Sequence, residues 1–167
     1  MNALSITEVS GNLDIHVSEG VEDFLANYSY QLDDGNIEAW VDFFDPNGVY
    51  KLTTSYNESE KLPLGIIYCK GHGMMIDRVR ALLTANIFEN HKYTHIFTKP
   101  ITKVLGKTIH CRSNFVVYRT MESGVSEVFA TGKYSDQIIQ SENTFKFLER
   151  RVTIDSKRVD TLIVYPI

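Results

Sequence analysis

Hydrophobic positions change their spacing once along this chain. Over residues 18–34, Val21, Phe24, Leu25, Tyr28 and Leu32 recur every three or four positions and draw one apolar face, which predicts a helix. Ser18 is placed to cap it, Glu19 and Glu22 suit the positive end of its dipole, and Asp33-Asp34-Gly35 stops it. Asn36 is the expected cap of a second, short helix that turns Ile37, Trp40, Val41 and Phe44 inward. Asp45-Pro46-Asn47-Gly48 predicts a turn. A strand is expected over 49–54, a polar loop over 56–63 and another strand over 64–69. Met75, Val79, Leu82 and Leu83 predict a third helix over 74–83. The first fifteen or so residues carry little periodicity and are expected to form a loose arm.

From Tyr93 onward the spacing becomes that of strands. The predicted strands cover 93–105, 108–121, 125–140, 145–154 and 161–165, with Pro100 marking a bend or an edge in the first. Gly106-Lys107 and Glu122-Ser123-Gly124 turn the chain between them, and Gly132 inside a strand predicts a bulge or a sharp curl. Helices first and long antiparallel strands afterwards predict an α+β fold. One domain over 1–167 is expected, a curved antiparallel or mixed sheet wrapped around about three N-terminal helices. The cone so formed has an apolar interior that serves as a pocket or as a core.

Composition narrows this picture. A chain of 167 residues, 43% hydrophobic and 23% charged, fits one soluble globular domain. The net charge is −4 and no basic stripe stands out, which argues against nucleic-acid binding. No apolar run is long enough to span a bilayer, and MNALSITEVS lacks the features of a signal peptide, so the cytoplasm is the expected compartment. Cys69 and Cys111 fit a reducing compartment rather than a disulfide framework.

Candidate chemistry is sparse. Cys69-Lys70-Gly71-His72 is a C-x-x-H, and a Rieske iron–sulfur site needs two Cys/His pairs. The other cysteine, Cys111, is followed by Arg112-Ser113 and makes no C-x-H, and His110 points to the opposite strand face. A zinc site from two cysteines and a stray histidine is possible in principle, but the expected reading is an apolar strand end at Cys69 and a Gly-bracketed turn at His72. His91 and His95 flank Tyr93 and share one strand face, but no nearby Asp or Glu is an obvious third ligand, although Glu89 is close in sequence. The expected reading has His91 at a loop end and His95 hydrogen-bonded in or near the core. Tyr28, Tyr30, Asp33, Asp77 and His95 could converge inside a cone, where burial would equip them for acid–base chemistry. The alternative puts Tyr28 in the core, Asp33 at the end of the first helix and Asp77 beside Arg78 or Arg80. Glu149-Arg150-Arg151 reads as structural ion pairs at least as well as a phosphate site, with Arg150 on the face opposite its neighbours.

Several stretches in order resemble one family, the small (β) subunits of aromatic-ring-hydroxylating dioxygenases, which are Rieske non-haem iron oxygenases. They are Asp77-Arg78-Val79, Tyr93-Thr94-His95-Ile96, Phe115-Val116-Val117-Tyr118-Arg119, Gly132-Lys133-Tyr134-Ser135-Asp136, Phe147-Leu148-Glu149-Arg150-Arg151-Val152 and Asp155-Ser156. Residues 160–167 and 64–67 look most like the small subunits of terephthalate dioxygenase and salicylate 5-hydroxylase systems. The resemblance implies a cone of the nuclear-transport-factor-two and ketosteroid-isomerase (cystatin-like) type. It implies a partner α subunit that carries a [2Fe–2S] Rieske cluster and a mononuclear iron, in an α3β3 heterohexamer served by a reductase or ferredoxin. It also implies an aromatic carboxylate as the substrate of the complex, and no iron ligand, cofactor or catalytic residue in this chain. Tyr93, Arg119, Tyr134, Arg150 and Tyr165 are the expected interface residues, since aromatics and arginine are enriched at such surfaces. Two other functions share the fold: a stand-alone dehydratase or isomerase using Tyr28, Asp33 and His95, and a small-ligand binding domain.

Overall fold

A computed structural model describes residues 5–63, 65–84, 90–157, 163 and 165–167. Helix α1 spans Ser5–Asp33, and a 3-10 helix, Ile37–Phe43, follows it. Next come strand β1, Phe44–Thr54, a short helix α2, Ser55–Ser59, strand β2, Ile67–Lys70, and helix α3, Gly71–Thr84. Five strands close the order: β3, His91–Phe97; β4, Ile101–Leu105; β5, Thr108–Met121; β6, Ser126–Ser141; and β7, Thr144–Ile154. They form one seven-stranded sheet in the order β2-β1-β7-β6-β5-β3, with β4 also paired to β5. β1 and β7 run parallel and the other pairs antiparallel, so the sheet is mixed.

The period-two pattern places the strand side chains. In β5 the odd residues Ile109, Cys111, Ser113, Phe115 and Val117 are buried, while His110, Arg112 and Asn114 are exposed. Helix α1 lays Val21, Phe24, Leu25 and Tyr28 against this inner face, and α3 adds Met75, Val79 and Leu82. The rings of Phe24, Phe43, Phe44 and Phe147 meet between helices and sheet at centroid distances of 4.8 to 5.6 Å. Trp40, fully buried, stands edge-on to Tyr50 at 5.1 Å and donates its Nε1–H to the Tyr28 hydroxyl at 3.0 Å. Ile167 is also buried, and its N–H reaches the Tyr50 hydroxyl at 3.0 Å.

Several elements differ from the sequence expectation. α1 begins at Ser5 and runs through the segment expected as a loose arm, so Ser18 lies within it and does not cap it. Ile6, Val9, Leu13 and Val17 already recur at helical spacing. Asn36 makes no side-chain capping bond, and its amide donates to Gln31 Oε1 instead. The turn at 45–48 is a kink inside β1, where register with β7 shifts between Phe44 and Val49 and Asn47 N–H bonds Asp45 Oδ1. Part of the expected loop at 56–63 is helix α2, whose first turn is capped by Thr54 Oγ1 accepting from Asn57 N–H. Leu83 is exposed, because the apolar stripe of α3 ends at Leu82. Gly132 marks a close approach of strands: a Cβ there would lie 2.2 Å from the Thr153 carbonyl oxygen. The bulge sits beside it, where β6 slips by one residue opposite Val117 and Tyr118. The strand expected over 161–165 falls largely, and Glu89 wholly, outside the described residues. Among the described residues no helix is long and apolar enough to cross a membrane.

Candidate functional site

The interior of the sheet holds a buried charge pair. Asp136 on β6 and Arg150 on β7 are register partners, so both point inward at adjacent positions. Asp136 is 2% and Arg150 1% exposed. Arg150 Nη1–H donates to Asp136 Oδ2 at 2.9 Å. The guanidinium carbon lies 3.8 Å from the centroid of Tyr134 and 4.3 Å from that of Tyr28, with Phe147 at 5.0 Å. Tyr134 in turn stacks on Phe115 at 4.3 Å. The pair therefore sits in an aromatic box that replaces part of the lost water by ring quadrupoles. Burial pushes the Asp136 carboxyl up to about 7 against the pull of Arg150, and the same carboxylate raises Arg150 further above its ordinary value.

Other candidates are placed apart from this centre. Asp33, the last residue of α1, faces His95 on β3, with Nδ1 and Oδ1 2.6 Å apart. The His95 backbone N–H also donates to Asp33 Oδ2 at 2.9 Å, so one carboxylate ties the helix end to the strand. The His95 side chain is 1% exposed and that of Asp33 17%. This agrees with the reading of His95 as a hydrogen-bonded core residue and Asp33 as a helix terminus. Tyr28 is engaged by Trp40, and burial raises its hydroxyl to about 12. Tyr30 is 66% exposed, and Asp77 lies on the surface 3.7 Å from Arg80. Of the five acid–base candidates, Asp33 and His95 are brought together, Tyr28 is engaged elsewhere by Trp40, and Tyr30 and Asp77 lie on the surface. Open hollows of about 390, 350 and 480 Å³ are lined by residues other than Tyr28, Asp33 and His95. An Asp33→Ala chain strands two donors on His95 and should lose about 2–3 kcal/mol, measured by urea unfolding. Asp33→Asn keeps an acceptor and should lose less.

The residues of this chain do not fit an iron–sulfur cluster. Cys69 is buried in β2, where burial raises its thiol above its ordinary value. His72 starts α3 and its Nε2 is held 3.0 Å from the Phe44 carbonyl oxygen. Cys111 lies on β5, and both cysteines are free thiols. The His91 ring lies 4.8 Å from that of Tyr93 and edge-on to that of Tyr165 at 5.7 Å, within an aromatic group. Among the described residues no group of three or more His, Cys, Asp or Glu is placed to hold a metal ion.

The expected interface set also divides. Tyr134 and Arg150 are buried inside the chain and offer no surface to a partner, because period two turns them inward with Asp136. Tyr93, 8% exposed, stacks on Phe129 at 5.0 Å and lies 6.1 Å from Tyr165. Arg119 covers Phe129 at 4.9 Å and pairs with Glu127. The buried pair itself was the element that sequence reasoning missed. Its signal was present, since Tyr134, Asp136, Arg150 and Val152 fall on the apolar phases of their strands.

The family model for the ring hydroxylating beta subunit matches residues 29–161. The small subunit of anthranilate 1,2-dioxygenase from Burkholderia cepacia is 34% identical over 142 residues, covering 84% of this chain and 88% of the relative. The beta 1 subunit of the terminal oxygenase component of terephthalate 1,2-dioxygenase from a Comamonas species is 35% identical over 145 residues, covering 86% and 94%. A crystal structure of the beta subunit assigned to an aromatic-ring-hydroxylating dioxygenase of Novosphingobium aromaticivorans superposes with a TM-score of 0.84 at 28% identity, covering 93% of this chain and 99% of that one. An NTF2-like protein with a cystatin-like fold from the same species gives 0.66 at 16% identity, covering 99% and 100%, a likeness of fold alone. With the expected cone architecture and the family's sequence both present over more than four-fifths of its length, this chain belongs to the ring-hydroxylating beta-subunit family.

Proposed function

We propose that this chain is the non-catalytic β subunit of a multicomponent oxygenase that hydroxylates the ring of an aromatic carboxylate. Its partner is an α subunit that carries the Rieske [2Fe–2S] cluster and the mononuclear iron, in an α3β3 assembly fed by a reductase or ferredoxin in the cytoplasm. The observation that carries this reading is the likeness to the small subunits of two dioxygenases, named for anthranilate and terephthalate, both aromatic carboxylates. The filled interior supports it, because the Arg150–Asp136 pair and its rings occupy the space where a cone enzyme would need a substrate cavity. Arg119 and Tyr165, partly exposed beside the buried Tyr93, have the aromatic and arginine character suited to meeting the α subunit.

Affinity purification of a tagged α chain bearing C-x-H and C-x-x-H motifs, co-expressed with this chain, tests the reading. Recovery of both chains in equal amounts is expected, and recovery of the α chain alone would overturn it. In that complex Cys69→Ser should leave the iron per α chain unchanged, measured by colorimetric iron assay, because a buried strand thiol takes no part in the cluster.

A further inference from the structure

The corner where β2 passes into α3 is held by a sulfur atom. Among the described strands β2 pairs with β1 alone, so it is an edge of the sheet. Lys70 is its last residue, and the Lys70 backbone N–H donates to Met74 Sδ at 3.3 Å. Gly71, at φ +76°, turns the chain between them, a conformation that glycine adopts without strain. Met74 lies in the first turn of α3. Side chains on a helix lean towards its N-terminus, and this one reaches back over the corner. The arrangement matches a capping box, in which a Glu or Gln of the first turn accepts from a backbone N–H ahead of the helix. Here a thioether stands where the side-chain oxygen would be, and a thioether is a weak acceptor.

The four methionines differ in what a solvent-borne oxidant can reach. Met75, the neighbour of Met74, is 0% exposed and belongs to the core. Met121, at the end of β5, is half-buried, and Met1 lies outside the described residues. Met74 is 47% exposed. Its thioether has two lone pairs, of which Lys70 engages one and leaves the other to a reagent. Oxidation of a methionine in a core disrupts packing, because it puts a polar group among apolar ones. At Met74 the consequence is reversed. The flexible, exposed side chain can shift outward by one bond length and leave a sulfoxide oxygen where the sulfur was. That oxygen is the stronger acceptor that the corner lacks.

We propose that Met74 is a modification site for peroxides, converted to a sulfoxide whose oxygen takes over the Lys70 N–H and keeps the β2–α3 corner closed. In this step the Met74 sulfur attacks one oxygen of hydrogen peroxide. The S–O bond forms as the O–O bond breaks, so the sulfur loses two electrons and the peroxide gains them. The proton on the new S–O group passes to the departing hydroxide, which leaves as water. A methionine sulfoxide reductase with a thiol reductant reverses the change. Dilute hydrogen peroxide on the purified full chain tests the proposal, followed by peptide mass spectrometry and by hydrogen exchange of the Lys70 amide resolved by NMR. Met74 should gain oxygen about tenfold faster than Met75 and ahead of Met121, with all three alike in urea. The Lys70 amide should exchange no faster in the oxidised chain than in the parent, and about severalfold faster in Met74→Leu, which has no acceptor. Met74→Gln, which supplies an oxygen without oxidation, should exchange as slowly as the oxidised chain. Oxidation of Met74 no faster than of Met75 in the folded chain overturns the proposal. So does a Lys70 amide that exchanges as fast after oxidation as in Met74→Leu, or one that Met74→Leu leaves unchanged.

Discussion

An Arg150→Met chain will be about 3–5 kcal/mol less stable than the parent, measured by urea unfolding, because it leaves Asp136 buried without its counter-charge. Asp136→Leu should cost at least as much, since the stranded guanidinium cannot shed its proton, although Tyr28 and Tyr134 still face it. The double variant Arg150→Met/Asp136→Leu removes both charges and should recover most of the loss. A pH signature separates these cases. Asp136 stands at about 7 in the parent even with Arg150 beside it, so losing Arg150 lifts it further. A carboxyl raised in the folded state contributes stability that is full below its ordinary value near 3.8 and is lost as pH rises towards the folded value. Parent and Arg150→Met both keep the Asp136 proton up to about pH 7, so the deficit should hold level from about pH 4 to about pH 7 and widen only above it. An Arg150→Met deficit below about 1 kcal/mol at pH 7 would show that the pair does not hold this core together.

The parent chain will unfold cooperatively between about pH 10.5 and about pH 12, through buried tyrosines. Tyr28, Tyr50, Tyr93 and Tyr134 are all raised above the ordinary value of 10 by burial, Tyr28 to about 12. A phenol raised in the folded state holds its proton longer there than in the unfolded chain. Its contribution is full below about pH 10 and is lost as pH climbs through the folded value. Each such group costs about 1.4 kcal/mol per pH unit in that window, so four together cost about 5.5 kcal/mol per unit, comparable with the whole stability of a small domain. Absorbance at 295 nm and circular dichroism should therefore change together. Reversible ionisation of all nine tyrosines near pH 10 with the fold intact would contradict the buried placement.

Much of the sheet was legible because period two survives in long strands. The expected bounds of β5 match Thr108–Met121, whereas the single strand expected over 93–105 is two, β3 and β4, parted near Pro100 where a bend or an edge was expected. Helix α3 was legible from Met75, Val79 and Leu82, whereas α2 was not, since five polar residues carry no period. The candidate site was legible only in part. Alternation reveals that Asp136 and Arg150 face inward, but only the register of β6 on β7 makes them partners. Asp33 and His95 are 62 positions apart, and their contact depends on where α1 ends against β3.

The central claim is that this chain serves an iron oxygenase without holding iron. Iron and acid-labile sulfide, assayed on this chain expressed alone and on the complex with its α chain, test that claim most directly. The account predicts a colourless, iron-free chain when expressed alone, and a coloured complex whose iron stays with the α chain after the two are separated in denaturant-free salt. Stoichiometric iron and sulfide on the lone chain would contradict it.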